Sequence, residues 1–584
     1  MAITSFPDSL EIKTYKTEKL QLLAADIRKF LIESISQTGG HIGANLSVIE
    51  LTIALHYCFD ISEDKLLFDT GHQGYTHKLL TGRKDLFTTL NSPEGMSRFI
   101  SRQESDYDIL DASHAGTAIS TASGIALAQA RQNKSAYCIA IVGDGAFTEG
   151  ESLEGLNYII ESDAPPIIVI NDNGMAIAPN LGAIHQMFSS ENWIEHCQSW
   201  FSNLGFNYFS VENGHDIESL ICIFEKAKRI NRNQPVVIHI KTEKGKGLEI
   251  AKNHKYKMHF SLPFNAQTGQ GSAPTTQGKT FARIAGDKLY ECIKNDPDIH
   301  AITPATPYAS ELDNIFESFP HQITDCGMAE QHALSMAAGL AIQGLKSVVC
   351  IQSTFLQRAL DQIIHDIAFP QLNVTLLVVR SGFAGYDGPT HHGIYDLAFL
   401  QGIPHLKIFY AGTEYDLQNI IETRLTQPSQ PMAILYPYEI ATELPGYKAN
   451  PDLNCIDIIE PGKDICLLTL ANCLPTAIEV REKLLNNGID IGIINIRWIK
   501  PLKTEQILKA VSKCHTVVSL EEHVSTNGIG VTLSALFSDN NINVRFVRFA
   551  ISDSFVPAGD KPDLQMRTGI DSNSITQKIL QELE

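Results

Sequence analysis

A chain of 584 residues is too long for one hydrophobic core, so about two to four domains are expected. Its 43% hydrophobic and 19% charged residues can build packed cores, while a net charge of −20 disfavours nucleic acid and anionic lipid as partners. The 11 cysteines are scattered without a CxxC pair, no apolar run approaches the length of a membrane span, and MAITSFPDSLEIKTYK is too acidic for a secretory signal, so a cytoplasmic chain without a membrane partner is expected.

In chain order, the first strand candidates are 137–142 (YCIAIV), 166–171 (PIIVIN) and 235–241 (PVVIHIK). A second series holds 347–352, 374–380, 406–411 and 432–436, and a third holds 464–470, 491–499 and 516–520. Their apolarity is continuous rather than alternating, which predicts parallel sheets covered by helices on both faces. The Gly-, Gln-, Thr- and Pro-rich stretch 263–280 reads as a linker, and 442–454 as a second boundary. The prediction is three doubly wound α/β domains, over 1–265, 281–442 and 455–584.

The first strand ends at Gly143-Asp144-Gly145 and the next at Asn171-Asp172-Asn173-Gly174-Met175. About one helix and one strand separate Asp144 from Asn173, which puts both oxygen-bearing side chains at neighbouring strand ends, where open α/β sheets bind ligands. Side-chain oxygens, a carbonyl and phosphate oxygens suit a hard octahedral cation such as Mg²⁺. Glycines beside Asp144 allow a phosphate to approach the backbone, and the helix that follows favours an anion. This pair of clusters resembles the metal and diphosphate motif of thiamine-diphosphate enzymes. Such an enzyme also needs a carboxylic acid at the cofactor's aminopyrimidine, and Glu330 in AEQHA heads a helix rich in small residues.

With GGHIGANLSVIEL (39–51), DTGHQGYTHKLLTGR (69–83), LGFNYF (204–209), KGKG (244–247), STFLQRALDQIIHD (353–366) and DGPTHHGIYDLAFLQGIP (387–404), the chain resembles the 1-deoxy-D-xylulose-5-phosphate synthase family of transketolase-like enzymes, in that family's order of motifs. The resemblance implies thiamine diphosphate and Mg²⁺ as cofactors and a homodimer. It implies decarboxylation of pyruvate or a similar 2-oxo acid and transfer of the two-carbon unit to an aldehyde, glyceraldehyde 3-phosphate or a relative. Asp144, Asn173 and the Met175 carbonyl would hold the metal, with Gly145 and Ala146 along the diphosphate. His72, Ser113, His114 and Ala115 would line the cofactor, Phe355 would pack on its pyrimidine, and Glu330 would activate it. His41, Asp387 and His391 would face the substrates, with Arg358 and Arg380 supplying positive charge. Transketolase-type ketol transfer and a silent cofactor-binding relative are the alternatives.

Four departures from the family pattern stand out. Its Tyr-Pro-Arg-Gly reads Tyr436-Pro437-Tyr438-Glu439, which removes one guanidinium from the acceptor site and adds a carboxylate. A family tyrosine is Gln352, the segment around 183–203 is short, and Ser113-His114-Ala115-Gly116 and Leu248 replace the usual residues. Glu521-Glu522-His523, after a predicted strand, reads as a solvated strand end or dimer contact.

Overall fold

A computed structural model describes residues 6–230, 232–272, 278–427, 429–441 and 449–583. Residues 273–277 of the expected linker and 442–448 of the second boundary lie outside these. The chain forms two compact units, residues 1–275 with 327–329, and residues 276–326 with 330–584.

The first unit is built on β1 (Lys65–Phe68), β2 (Cys138–Gly143), β3 (Ile167–Asp172), β4 (Asn207–Val211) and β5 (Val236–Lys241). They pair in the order β1-β2-β3-β5-β4, all parallel. Every residue of β3 is buried, as its unbroken Ile-Ile-Val-Ile run requires of a strand covered on both faces. Burial of each such side chain contributes about 1.5–3 kcal/mol. The apolar residues of one face pack with Leu51, Leu55, Leu220 and Phe224, and those of the other with Ile119, Leu156 and Phe201.

The second unit carries two sheets. One contains β6 (Ile299–Thr303), β7 (Ile323–Asp325), β8 (Lys346–Gln352), β9 (Val374–Val379), β10 (Lys407–Tyr410) and β11 (Met432–Tyr436). The other contains β12 (Asp457–Glu460), β13 (Ile465–Thr469) and β14 (Gly492–Asn495). A short β15 (Trp498–Lys500) follows, and β16 (Thr516–Val524) and β17 (Arg545–Ile551) complete the set. The orders are β15-β10-β11-β9-β8-β6-β7 and β12-β14-β13-β16-β17, parallel except where β15 meets β10 and β12 meets β14.

One expectation is corrected. Residues 491–499 form two strands in two sheets, β14 and β15, rather than one strand. The break falls at Arg497, whose fully buried guanidinium donates to Asp416 Oδ1 at 3.0 Å and to the carbonyls of Asn450, Asp452 and Cys455 at 2.7–2.9 Å. Its own carbonyl accepts from Tyr410 N at 2.8 Å, which steers the chain onto β10. The apolar strands missed from the sequence, such as β1 with four residues, are too short to show a period, and β17, an edge strand, is exposed or half-buried except at Phe549 and Ile551.

Among the described residues no helix is long and apolar enough to cross a membrane. Arg497→Ala should strand the buried Asp416 carboxyl and three carbonyls, lowering stability by about 3–5 kcal/mol in urea unfolding. A loss under about 1 kcal/mol would show that Arg497 does not hold the two sheets' strands in place.

Candidate active site

In the first unit, β2 and β3 end side by side, with Gly143 in register with Asn171. The chain turns at once into a single helical turn, Asp144–Phe147, so Asp144 is buried at its first position. Asn180 Nδ2 donates to Asp144 Oδ2 at 2.9 Å, and the Asn173 backbone N–H also reaches this carboxylate. Among the described residues Asp144 Oδ1 is buried without a hydrogen-bond partner, and so is Asn173 Oδ1.

The neighbours of Asn173 are committed elsewhere. Asn171 Oδ1 accepts from Thr242 Oγ1 at 2.6 Å, and its amide donates to Gln73 Oε1 at 3.3 Å. Asp172 Oδ2 is bound by His239 Nε2 at 2.7 Å and by the Lys241 ammonium, and Tyr208 closes the set on His239 Nδ1 at 3.1 Å. Of the three polar residues, Asn173 alone keeps a buried side-chain oxygen available to a ligand. A Cβ on Gly145 would lie 2.7 Å from the Ala176 Cβ, so glycine is what lets the 174–176 loop close on the Asp144 turn.

Burial, reinforced by the charge of Asp172, pushes the Asp144 carboxyl up to about 7. Lys244, buried beside it, is brought down to about 7 by the same desolvation, with Asp144 opposing the shift, and its ammonium donates to the Ala176 carbonyl. A divalent cation on the two unpartnered oxygens would restore the carboxylate. No group of three His, Cys, Asp or Glu among the described residues is set to hold a metal. Oxygens of waters, a backbone carbonyl or a bound phosphate would have to complete the shell of an ion here, a donor set that suits Mg²⁺.

Two further stretches of the first unit meet through Asn45. Its buried amide donates to the carbonyls of His41 and His72, both at 2.8 Å, and its oxygen accepts from Tyr75 N at 2.8 Å. The rings of His41, His72 and His259 then stand 5.1–5.5 Å apart, with Phe99 and Phe260 against His41. Desolvation, helped by Lys244, brings His72 down to about 3 and holds His259 far below its usual range, so both rings are neutral at pH 7. Ser113 adopts φ +60° and its N–H donates to the Thr70 carbonyl, while Asp69 accepts from Gly116 N and Ala118 N at 2.9 and 3.0 Å. Those bonds tie the Ser113-His114-Ala115 segment to the end of β1. Asn45, Lys244, His259 and the His239–Asp172 pair escape a reading of the sequence. Asn45 had one local signal, a polar residue inside an apolar helical stretch.

In the second unit, Glu330 is the first residue of the helix Glu330–Ile342 and is 6% exposed, unlike an ordinary capping glutamate. Phe355 follows β8 and stands edge-on to His391, ring centroids 5.8 Å apart. Arg358 lies on the next turn. The loop carrying His391 is pinned where Gly393 and Gly382 exchange backbone bonds of 2.7 and 3.0 Å. A Cβ on Gly393 would fall 2.1 Å from the Arg380 carbonyl, so no other residue fits there. His392 is structural: its Nδ1 accepts from Ala384 N at 2.9 Å and its Nε2 donates to the Pro557 carbonyl at 3.0 Å. Arg380 Nη1 donates to Asp387 Oδ2 at 2.7 Å, and its guanidinium lies 4.0 Å from the centre of the Tyr438 ring.

The Glu521-Glu522-His523 reading is corrected: all three are buried in β16. Glu521 accepts from the N–H groups of Ile529 and Gly530 at 2.7 and 2.9 Å, capping a helix start. Glu522 accepts from Phe383 N at 2.7 Å, and His523 pairs with Asp396 at 3.0 Å. These groups tie the second unit's two sheets together rather than facing water.

Residues 3–198 and 190–242 match the family model described as 1-deoxy-D-xylulose-5-phosphate synthase. Residues 277–441 match the transketolase pyrimidine binding domain, and 455–575 the transketolase C-terminal domain. A 1-deoxy-D-xylulose-5-phosphate synthase of Listeria monocytogenes serotype 4b is 38% identical, over 98% of this chain and 96% of its own. Proteins of the same name from Geobacillus sp. and Halothermothrix orenii are 34% and 35% identical, covering 99% and 98% of this chain and 98% and 95% of their own.

The neutral histidines carry a pH signature. Unfolded, His72 and His259 take up protons near 6.5; folded, they do not until far lower pH. The unfolded state binds more protons in that window, so stability falls as pH drops below about 6.5. Between pH 7 and 5 the loss should be on the order of 1–2 kcal/mol for each ring. The slope should flatten in His72→Asn; an unchanged slope would contradict the buried neutral state.

Proposed function

Because the chain belongs to the 1-deoxy-D-xylulose-5-phosphate synthase family, we propose that it is a thiamine-diphosphate-dependent carboligase. It decarboxylates pyruvate and joins the remaining two-carbon unit to an aldehyde, glyceraldehyde 3-phosphate or a relative of it. The observation that carries this reading is the pair of buried, unpartnered oxygens on Asp144 and Asn173 at adjoining strand ends. When bound, thiamine diphosphate supplies a carbon nucleophile and an electron sink for decarboxylation.

These surroundings support the following roles for this chain's residues. Asp144, Asn173 and the Met175 carbonyl would hold Mg²⁺, and Gly145 and Ala146 would let the diphosphate approach the backbone. Glu330, buried at a helix start, would hydrogen-bond the aminopyrimidine. His41, His72 and His114 would lie toward the thiazolium end and accept or return a proton at the reacting oxygen. Phe99 and Phe260 around His41 keep water from that centre. Phe355 packs on the pyrimidine, and His391 and Asp387 face the acceptor aldehyde, with Arg358 and Arg380 for anionic groups. Ile342 and Phe369, 66% and 80% exposed, offer apolar area to a second copy in a homodimer.

The purified chain with Mg²⁺ and thiamine diphosphate should release CO₂ from pyruvate when an aldehyde is present, and fructose 6-phosphate should not replace pyruvate as donor. Glu330→Gln should lower turnover by about 10²-fold or more while cofactor binding, read by fluorescence quenching, persists. No CO₂ with any aldehyde would reject the donor assignment.

A further inference from the structure

The second unit places Arg380 and Tyr438 just past the carboxyl ends of two neighbouring strands. β9 ends at Val379, in register with Tyr436 at the end of β11, so Arg380 and Tyr438 emerge side by side. Arg380 holds φ +66°, a left-handed backbone that is strained for a non-glycine residue and persists only where the surroundings impose it. What it gains is a fixed, inward guanidinium that is 8% exposed.

That guanidinium is engaged on one edge and one face, while its Nε is buried without a hydrogen-bond partner among the described residues. Asp387 takes Nη1 at 2.7 Å, and the Tyr438 ring, half exposed to solvent, lies over the guanidinium plane at 4.0 Å. The other cation nearby, Lys561, pairs with Glu439 and with Glu522 at 3.3 Å, and donates to the Asn472 carbonyl at 3.1 Å. Two cations thus face three carboxylates, Asp387, Glu439 and Glu522, each ion paired within the cluster. A phosphate reaching Arg380 through Nη1 must expel Asp387, and it meets the Tyr438 ring over the guanidinium and the Glu439 carboxylate on the neighbouring residue. The Tyr438 face and hydroxyl instead offer stacking and a hydrogen bond, which suit a neutral hydroxylated chain.

We propose that the acceptor of this enzyme is an aldehyde without a phosphate group, such as a short hydroxyaldehyde, and that Tyr438, with Asp387 held on Arg380, determines this choice. The proposal rests on the carboligase reading above. In the reaction the C1–C2 bond of pyruvate breaks and CO₂ leaves, C2 bonds to the aldehyde carbon, and the former aldehyde oxygen takes one proton. The product is a 1-deoxyketose or other methyl hydroxyketone without phosphate.

The test compares kcat/KM for glyceraldehyde and glyceraldehyde 3-phosphate, with saturating pyruvate, in the wild-type holoenzyme and in Tyr438→Arg. The wild type should use glyceraldehyde at least as well as its phosphate ester. Tyr438→Arg should shift the ratio toward the ester by about tenfold or more and make inorganic phosphate a competitor of the aldehyde. A wild type that prefers the ester by more than about tenfold overturns the inference while leaving the carboligase reading intact. Product from neither aldehyde overturns both. The wild-type ratio decides the matter even if the variant fails to fold.

Discussion

A carboxylate buried without enough hydrogen-bond donors is the constraint around which the first unit is arranged. Asp144 sits at the end of β2, one oxygen bound by Asn180 and the other without a partner among the described residues. Leaving such a group charged inside a protein is expensive, and the shift of its pKa to about 7 expresses that cost. The fold does not relieve it with an arginine. It supplies Lys244, itself made reluctant to ionise by burial, and a second unpartnered oxygen on Asn173. A bound cation would give both oxygens a partner, which is the fit on which the metal and diphosphate proposal rests.

The surrounding order serves that centre. His239, Lys241 and Tyr208 fix Asp172, so the adjacent Asn173 is aimed rather than free to rotate into the same bonds. Asn45 does the same for two histidines at once by holding both backbones. In the second unit the logic is inverted: charges are paired rather than left open. Arg380 pairs with Asp387, and Lys561 with Glu439 and Glu522.

The fold class was legible because parallel strands buried on both faces leave continuous apolar runs, and most of the predicted strands agree with the structure to within a residue or two. The strand ends at Asp144 and Asn173 were legible for the same reason, since a polar cluster after such a run marks a sheet edge. Partnerships across long stretches of chain left no trace: Lys561 meets Glu439, 122 residues away, and His239 meets Asp172, 67 residues away. Glu521-Glu522-His523 looked solvent-facing because composition cannot reveal that a helix start and a neighbouring loop supply their donors. Histidine pairs are equally opaque; His391 and His392 are adjacent in sequence, yet only the structure shows both nitrogens of His392 engaged in holding the loop.

A crystal structure of the chain with thiamine diphosphate and Mg²⁺ tests the central claim most directly. The metal should be bound by Asp144 Oδ1, Asn173 Oδ1 and the Met175 carbonyl at about 2.0–2.1 Å, with the diphosphate along Gly145 and Ala146. A metal bound instead by Asp172, with His239 and Lys241 displaced from it, would contradict the account.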